Sequence, residues 1–412
     1  MKKYVFITNS IRNMGGAQMY IRNKVVFLKQ HGWAPTVYFF NAGDVLIPEL
    51  KEFKNNRIPE FAFPITAYSK RKREVVINRI VTDLKDSEEC VIESHIYPEC
   101  FWAEEIAKRI HGRHLLFFLH EMFPSYSYKE ELFLKFKFDR REFKNVTRRI
   151  EIMLGKHWEN KDAFIIPSFS NVTSPVDYPL NYDKSLKTIL SIGRLDKPYI
   201  MPMLSEIAKY TQWMNVPVNL FLVGGAAEES YMKEIRTFLK EQEKIIPYYF
   251  GYMFPVPLNI IKAADVAIAS SGSVLVPAEQ GIPTISIDTQ DYMAMGIYGI
   301  TTHNVFKRQD EPQLRTSDLL YDVLVAGHYH KVDAKPTAYT LQAEQMQEDH
   351  LRIIESLDAP KEYYDVLAIF SRKEILRQKI VRLIYCIFGE KGAGKIIRLR
   401  NLVFDRRRRN KR

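Results

Sequence analysis

Arg194 and Lys197 stand three residues apart after the strand-like run Thr188–Gly193, in the sequence Ser191-Ile192-Gly193-Arg194-Leu195-Asp196-Lys197. Two cations delivered at one strand exit suit a diphosphate, which Arg grips with a planar fork and Lys meets as a point charge. The next strand-like runs also leave through glycine, at Leu222-Val223-Gly224-Gly225 and at Gly251. In an open parallel sheet such exits share one edge, and ligands bind along it.

A fourth exit lies in Ala264–Asp288, which reads as strand, tight turn, short helix, Gly-x-Pro stop and second strand. The short apolar run Val266–Ala269 suits a strand buried on both faces. Ser270-Ser271-Gly272 makes the turn, Ser273 is expected to cap the following helix, Gly281 takes the position needing positive φ, and Pro283 forbids continuation. That leaves about two helical turns. The N–H groups of Ser271–Leu275 are then expected to be free to meet an anion. By shape alone this is equally one more βα turn.

Other residues carry two readings each. His95, in Glu93-Ser94-His95, either lines a ligand cleft or is a packed, hydrogen-bonded histidine. Glu99 and Glu121 either position a substrate hydroxyl or are solvated charges. Gly389–Ile396 fits a phosphate-binding loop, except that Ile396 replaces the Ser/Thr that would hold magnesium; the other reading is a turn between helices. Gly15-Gly16, before a helix expected over Ala17–His31, permits close backbone approach but is no dinucleotide fingerprint, which counts against nicotinamide or flavin chemistry.

The elements that must hold these residues alternate. Strands are expected at Lys3–Asn9, Thr36–Phe40, Cys90–His95, Leu115–His120 and Phe164–Pro167, separated by helices at Val75–Leu84, Glu99–Ile110 and Lys129–Leu154. After a Pro/Ser/Asn-rich linker from Ile166 to Leu180, a second series runs through Thr188–Gly193, Leu220–Val223, Tyr248–Gly251, Val266–Ala269 and Thr284–Ile287. Helices at Ser317–Ala326 and Thr340–Leu357 follow. The expectation is an α/β chain of two Rossmann-like domains, 1–170 and 171–335, with closing helices over 336–370 and a basic helical tail over 371–412.

The 412 residues, 46% of them hydrophobic, suffice for two such cores. Net charge is +11, yet residues 371–412 hold 15 Lys/Arg against 3 Asp/Glu, so the first 370 residues are nearly neutral. A fold that grips nucleic acid carries its charge on the folded domain, so no nucleic-acid partner is expected. Cys90, Cys100 and Cys386 have no metal-ligand spacing and read as reduced thiols of a cytoplasmic protein. No signal peptide is expected, because the apolar run after Lys2-Lys3 stops at Ile7, and no run reaches the roughly 18 residues of a membrane span.

Five motifs in order resemble family 4 glycosyltransferases of the GT-B type over roughly residues 1–330: Gly15-Gly16-Ala17; His120 at the end of a strand; Gly193-Arg194-Leu195 with Lys197; Val223-Gly224-Gly225; and Ala264-Asp265 with Gly281-Ile282-Pro283. The resemblance implies two Rossmann-like domains facing across a cleft. The second would hold a nucleotide-diphosphate sugar donor, and the first a glycan or lipid-linked acceptor. It further implies a retaining transfer needing no cofactor and no metal, in which Arg194 and Lys197 stabilise the leaving diphosphate, Gly15 and Gly16 bring N–H groups near it, and His120 sits beside the donor sugar. Gly193, Gly224, Ser271, Gly272 and Ser273 would line the donor site, and His95 the acceptor side. The chain departs from the family at Val276, where the second of two glutamates would contact the ribose; Glu279, one turn on, either takes over that contact or is an exposed helical glutamate. Lys197 is also closer to the arginine than is usual in the family.

The tail adds a partner. Ile375–Phe388 places Leu376, Ile380, Leu383, Ile384 and Ile387 on one face, with Arg377, Lys379 and Arg382 largely elsewhere, before Arg406–Arg409. A basic amphipathic helix suits an anionic membrane surface; the other reading is a final helix packed on the first domain. The expected function is sugar transfer in bacterial surface polysaccharide synthesis, peripheral on the inner face of the membrane. The alternative is an inactive GT-B scaffold in such a synthesis complex.

Overall fold

The computed structural model describes residues 1–12, 15–95, 97–118, 127–145, 173–226, 228–332, 343–356 and 359–389. The chain divides into two compact units: Met1–Arg12, Tyr20–Ser168 and Glu348–Arg412 form the first, and Asn13–Met19 with Phe169–Gln347 the second.

In the first unit, β1 (Lys2–Thr8), β2 (Trp33–Phe39), β3 (Glu89–Ser94), β4 (Arg113–Phe118) and β5 (Phe143–Asn145) make a sheet in the order β2-β1-β3-β4-β5, with every pairing parallel. Strand residues alternate faces. Val5, Ile7, Ile92 and Leu116 therefore enter one core together with Trp102 and Ile106 of α3 (Glu99–Ile110) and Ile77 and Ile80 of α2 (Lys70–Leu84). Tyr4 and Phe6 face the other way, where α1 (Gly16–Gln30) supplies Tyr20 and Lys24. The chain after 359 closes the first core with Val366, Ile369 and Phe370.

The helix expected over Lys129–Leu154 is shorter than its pattern suggested. α4 spans Tyr128–Asp139, Arg141 takes a left-handed φ of 59°, and β5 follows at Phe143. With no Gly, Asn or Pro at this break, the sequence lacks the usual stop residues, and only Lys137 in the last turn marks the end. The strand expected at Phe164–Pro167 and part of the expected linker lie outside the described residues.

In the second unit, β7 (Lys187–Ile192), β8 (Val218–Val223), β9 (Ile245–Gly251), β11 (Val266–Ala269), β12 (Thr284–Ile287) and β13 (Ala294–Ile297) form a sheet in the order β13-β12-β11-β7-β8-β9. Only β13, an edge strand absent from the sequence expectation, is antiparallel. A two-residue pair, β6 (Thr173–Ser174) with β10 (Val256–Pro257), lies apart from it. The apolar runs are continuous because both faces are covered. Ile189, Leu220, Leu222, Val266 and Ile268 pack beneath α5 (Ile200–Met214), α6 (Glu229–Lys240) and the later helix Thr316–Leu324. Leu190, Ile192, Phe221, Val223 and Ala267 pack on Ile260 and Ile261 of α7 (Leu258–Lys262) and on Val276 and Ile282.

The Ala264-Asp265 pair has a structural task. Asp265 accepts from the Thr188 N–H at 2.8 Å and returns its own N–H to the Thr188 carbonyl at 2.8 Å, which ties the start of β11 to β7. Among the described residues no helix is long and apolar enough to cross a membrane.

Candidate functional site

Four strand exits of the second unit are laced into one edge. Gly193 donates its N–H to the Val223 carbonyl (3.0 Å), Leu195 to Gly225 (2.9 Å) and Gly224 to Gly251 (2.8 Å). Gly193 and Gly224 have φ of 147° and 145°, and a Cβ on Gly224 would lie 1.8 Å from the Gly193 carbonyl oxygen. Only glycine permits that approach. A Cβ on Gly193 would lie 3.1 Å from Tyr199 Oη and 3.7 Å from Ser273 Oγ, so the corner after β11 borders the exit of β7.

Arg194 leaves this edge with its Nε 2.9 Å from Asp196, and its side chain is 38% exposed against 8% for Asp196. Lys197 is exposed, and partial desolvation together with the Arg194 charge lowers its pKa. One carboxylate thus stands among two cations, an arrangement that a bound anion would relieve.

The corner itself departs from expectation. Ser271–Val274 is a tight 3-10 turn running directly into a single α-turn, Leu275–Ala278, with Val274 at its N-cap position and no side-chain cap; Ser273 does not cap it. The N–H groups of Ser271–Leu275 are not all available. Ser271, held at a φ of 58°, donates to the Val305 carbonyl, and Leu275 donates to Gly272. The tight turn spends its own donors. At Gly272 a Cβ would meet no atom within 4 Å, so the space over it is open.

Val276 is buried in the core beside Ile282. Glu279 is not the exposed glutamate of the ordinary reading: it is 6% exposed, at the C-terminal end of the one-turn helix whose Val276 packs into the core. Burial, and then the Glu279 charge, raise the pKa of Tyr298. Gly281 has the expected positive φ, 74°.

Tyr252 was not singled out in the sequence. Its ring lies where a Cβ on Gly225 would be 2.5 Å away, its hydroxyl is buried without a hydrogen-bond partner among the described residues, and burial, then the Asp196 charge, raise its pKa against the pull of Arg194. An aromatic directly after the Gly251 exit was the available signal. Gly15 accepts the Met19 N–H at 3.0 Å, and a Cβ on Gly16 would meet nothing within 4 Å, so packing does not explain that glycine.

In the first unit His95 is 1% exposed, with Nε2 2.8 Å from Glu93 and Nδ1 unpartnered among the described residues. Glu93 is the hub of a buried cluster with Lys24, Tyr4 and Tyr20. Burial would raise its carboxyl, but Lys24 and His95 hold it well below the carboxylate range, and burial brings Lys24 down to about 8. A second cluster joins Glu104 to His114 (2.6 Å) and to Lys137 (2.9 Å), which also donates to Glu142 (2.6 Å). Both clusters escaped the sequence reading.

Glu99 is fully buried rather than solvated. Neither carboxylate oxygen meets another residue's donor among the described residues, and burial pushes its pKa well up. His120, Glu121 and most of the Gly389–Ile396 segment lie outside the described residues.

No family model matches this sequence, and no curated protein matches it either. Solved structures do resemble the fold. HepE of Anabaena, in complex with UDP and glucose, superposes with a TM-score of 0.56 at 14% identity, covering 86% of this chain and all of that one. A glycosyltransferase of Rickettsia africae gives 0.55 at 15%, covering 92% and 98%. At this identity the likeness speaks for the fold: an α/β chain of two Rossmann-like units of the GT-B type.

Proposed function

We propose that this protein is a glycosyltransferase that takes a sugar from a uridine-diphosphate donor held by the second unit. The observation that carries the reading is the pair of cations at the exit of β7, on an edge where Gly193 and Gly224 keep side chains out of the way. The UDP and glucose of the HepE complex, in a chain of like fold, support that ligand class.

On this reading Arg194, oriented by Asp196, and Lys197 take up the charge that develops on the diphosphate as the sugar–phosphate bond breaks, with the glycine backbones of residues 15 and 16 nearby. No side-chain nucleophile is required: the acceptor oxygen attacks the anomeric carbon, its proton passes to the departing diphosphate, and configuration is retained. His120 belongs beside the sugar, Tyr252 beside the nucleotide, and Glu279 at the ribose. The acceptor is a glycan or lipid-linked sugar of surface polysaccharide synthesis, met at the inner face of the membrane, with the first unit as its binding side.

Titration calorimetry with uridine, guanosine and adenosine diphosphates tests this. UDP binding in preference to the other two is expected. Failure of all three to bind would leave the second unit without a donor and turn the reading toward a scaffold.

A further inference from the structure

The helix over 372–389, here α11, has two faces with opposite commitments. Gln378, Arg382 and Tyr385 face the first unit. Thr66 donates to Gln378 at 2.6 Å, the Arg382 guanidinium lies 4.7 Å over the Tyr68 ring, and Tyr385 meets Phe63 edge-on at 5.3 Å. Ile375 packs on the same core. About 200° around the helix, Leu376, Ile380, Leu383 and Ile387 form a second row. These four side chains are between 49% and 62% exposed, and Phe388 at the end is 55% exposed. Pinned by one face, the helix turns an aliphatic row outward.

Cations border that row on both sides. At about 100° per residue, Arg372 and Lys379 fall on one flank and Lys373 and Arg377 on the other. All four are exposed. Glu374, the acid within this helix, lies toward the docked face and accepts from the Ser371 N–H and hydroxyl, each at 2.7 Å. Two residues past Tyr68, α2 opens on Lys70, Arg71 and Lys72, exposed as well. A second copy pairing row to row would press both sets of cations together, whereas an anionic lipid surface takes the row into its acyl boundary and the cations onto its phosphates.

We propose that α11 is a membrane-docking element that lies in the plane of an anionic bilayer, with Leu376, Ile380, Leu383 and Ile387 inserted and Arg372, Lys373, Arg377 and Lys379 on the headgroups. It does not depend on the sugar-transfer reading. Flotation of the full chain with phosphatidylcholine vesicles, with and without phosphatidylglycerol, tests it. The chain floats with the anionic vesicles and is released by salt. Leu383→Ser and Ile387→Ser each lower partitioning by about tenfold, and Arg377→Gln and Lys379→Gln each by about fivefold. All four variants keep the wild-type melting temperature. Three results overturn the proposal: the aliphatic variants float like wild type, so that the cations of 390–412 suffice; wild type floats equally on neutral vesicles; or it stays off vesicles as a dimer that Leu383→Ser dissociates.

Discussion

Gly224 passes so close to Gly193 that a Cβ on Gly224 would sit 1.8 Å from the Gly193 carbonyl oxygen. No rotamer relieves a clash between a Cβ and a backbone carbonyl, and the φ of 145° adds strain for any other residue. Gly224→Ala should therefore destabilise the second unit by about 3 kcal/mol or more. Gly272 is the contrast, since nothing lies within 4 Å of a Cβ there. Gly272→Ala should leave stability within about 0.5 kcal/mol and act only on a ligand that approaches it. Thermal melting of both variants, followed by UDP calorimetry on the one that stays folded, separates a packing glycine from a ligand-approach glycine.

Arg194 is partly exposed, and Lys197 still acts on Asp196 once Arg194 is gone, so its removal costs on the order of 1 kcal/mol of stability. Its loss should matter far more for the diphosphate. Arg194→Ala is expected to melt near wild type, to bind UDP about tenfold or more weaker, and to abolish transfer. Arg194→Lys keeps the charge but not the fork, and should restore only part of the affinity. Full transfer activity in Arg194→Ala would remove this residue from the mechanism.

The strand exits were legible because an apolar run ending in glycine is a local signal: Gly193, Gly224 and Gly251 each fall at the end of a strand, and Gly281 has the φ its stop demanded. Environment was not legible. Ser271 spends its N–H on Val305, far along the chain, and no spacing near Ser271 announces it. Glu93, Glu99, Glu104 and Glu279 look alike as letters. One is held ionised by a lysine, one is buried without a partner's donor, one sits between His114 and Lys137, and one is buried at the end of a single helical turn. Partners such as Lys24 and Lys137 come from other elements, so only the tertiary fold decides which charge is paired. β5 was hidden for a related reason, since Arg141 makes its left-handed turn without glycine.

On the proposed reading, Glu279 sets a measurable preference among nucleotides. A carboxylate accepting from a ribose hydroxyl favours the nucleotide that carries it, and a pocket built for a hydroxyl discriminates strongly against its absence. Wild type should bind UDP more tightly than 2′-deoxy-UDP, and Glu279→Gln should weaken UDP while narrowing that gap. Because Glu279 is buried, the amide, which keeps its volume, is the informative substitution. An unchanged ratio between the two nucleotides would move the ribose contact elsewhere.

Acid stability follows from the two buried clusters of the first unit. Burial works against ionised Glu93 and Glu104, but Lys24 with His95, and Lys137 with His114, hold both carboxyls below their ordinary 4.5. The unfolded chain therefore takes up protons first as pH falls through 4.5, and stability falls with it. Burial also lowers His95 and His114 below 6.5, so the unfolded chain gains their protons earlier and the loss has the same sign. Melting temperature should begin to decline below about pH 6.5 and fall more steeply below about 4.5. Glu104→Gln leaves Lys137 with Glu142 as its remaining carboxylate. That variant should lose about 3 kcal/mol at neutral pH, the cost of breaking a buried pair. Its acid limb should also be shallower, because the proton uptake at Glu104 is gone; a melting curve running parallel to wild type across the acid range would show that Glu104 is not its source.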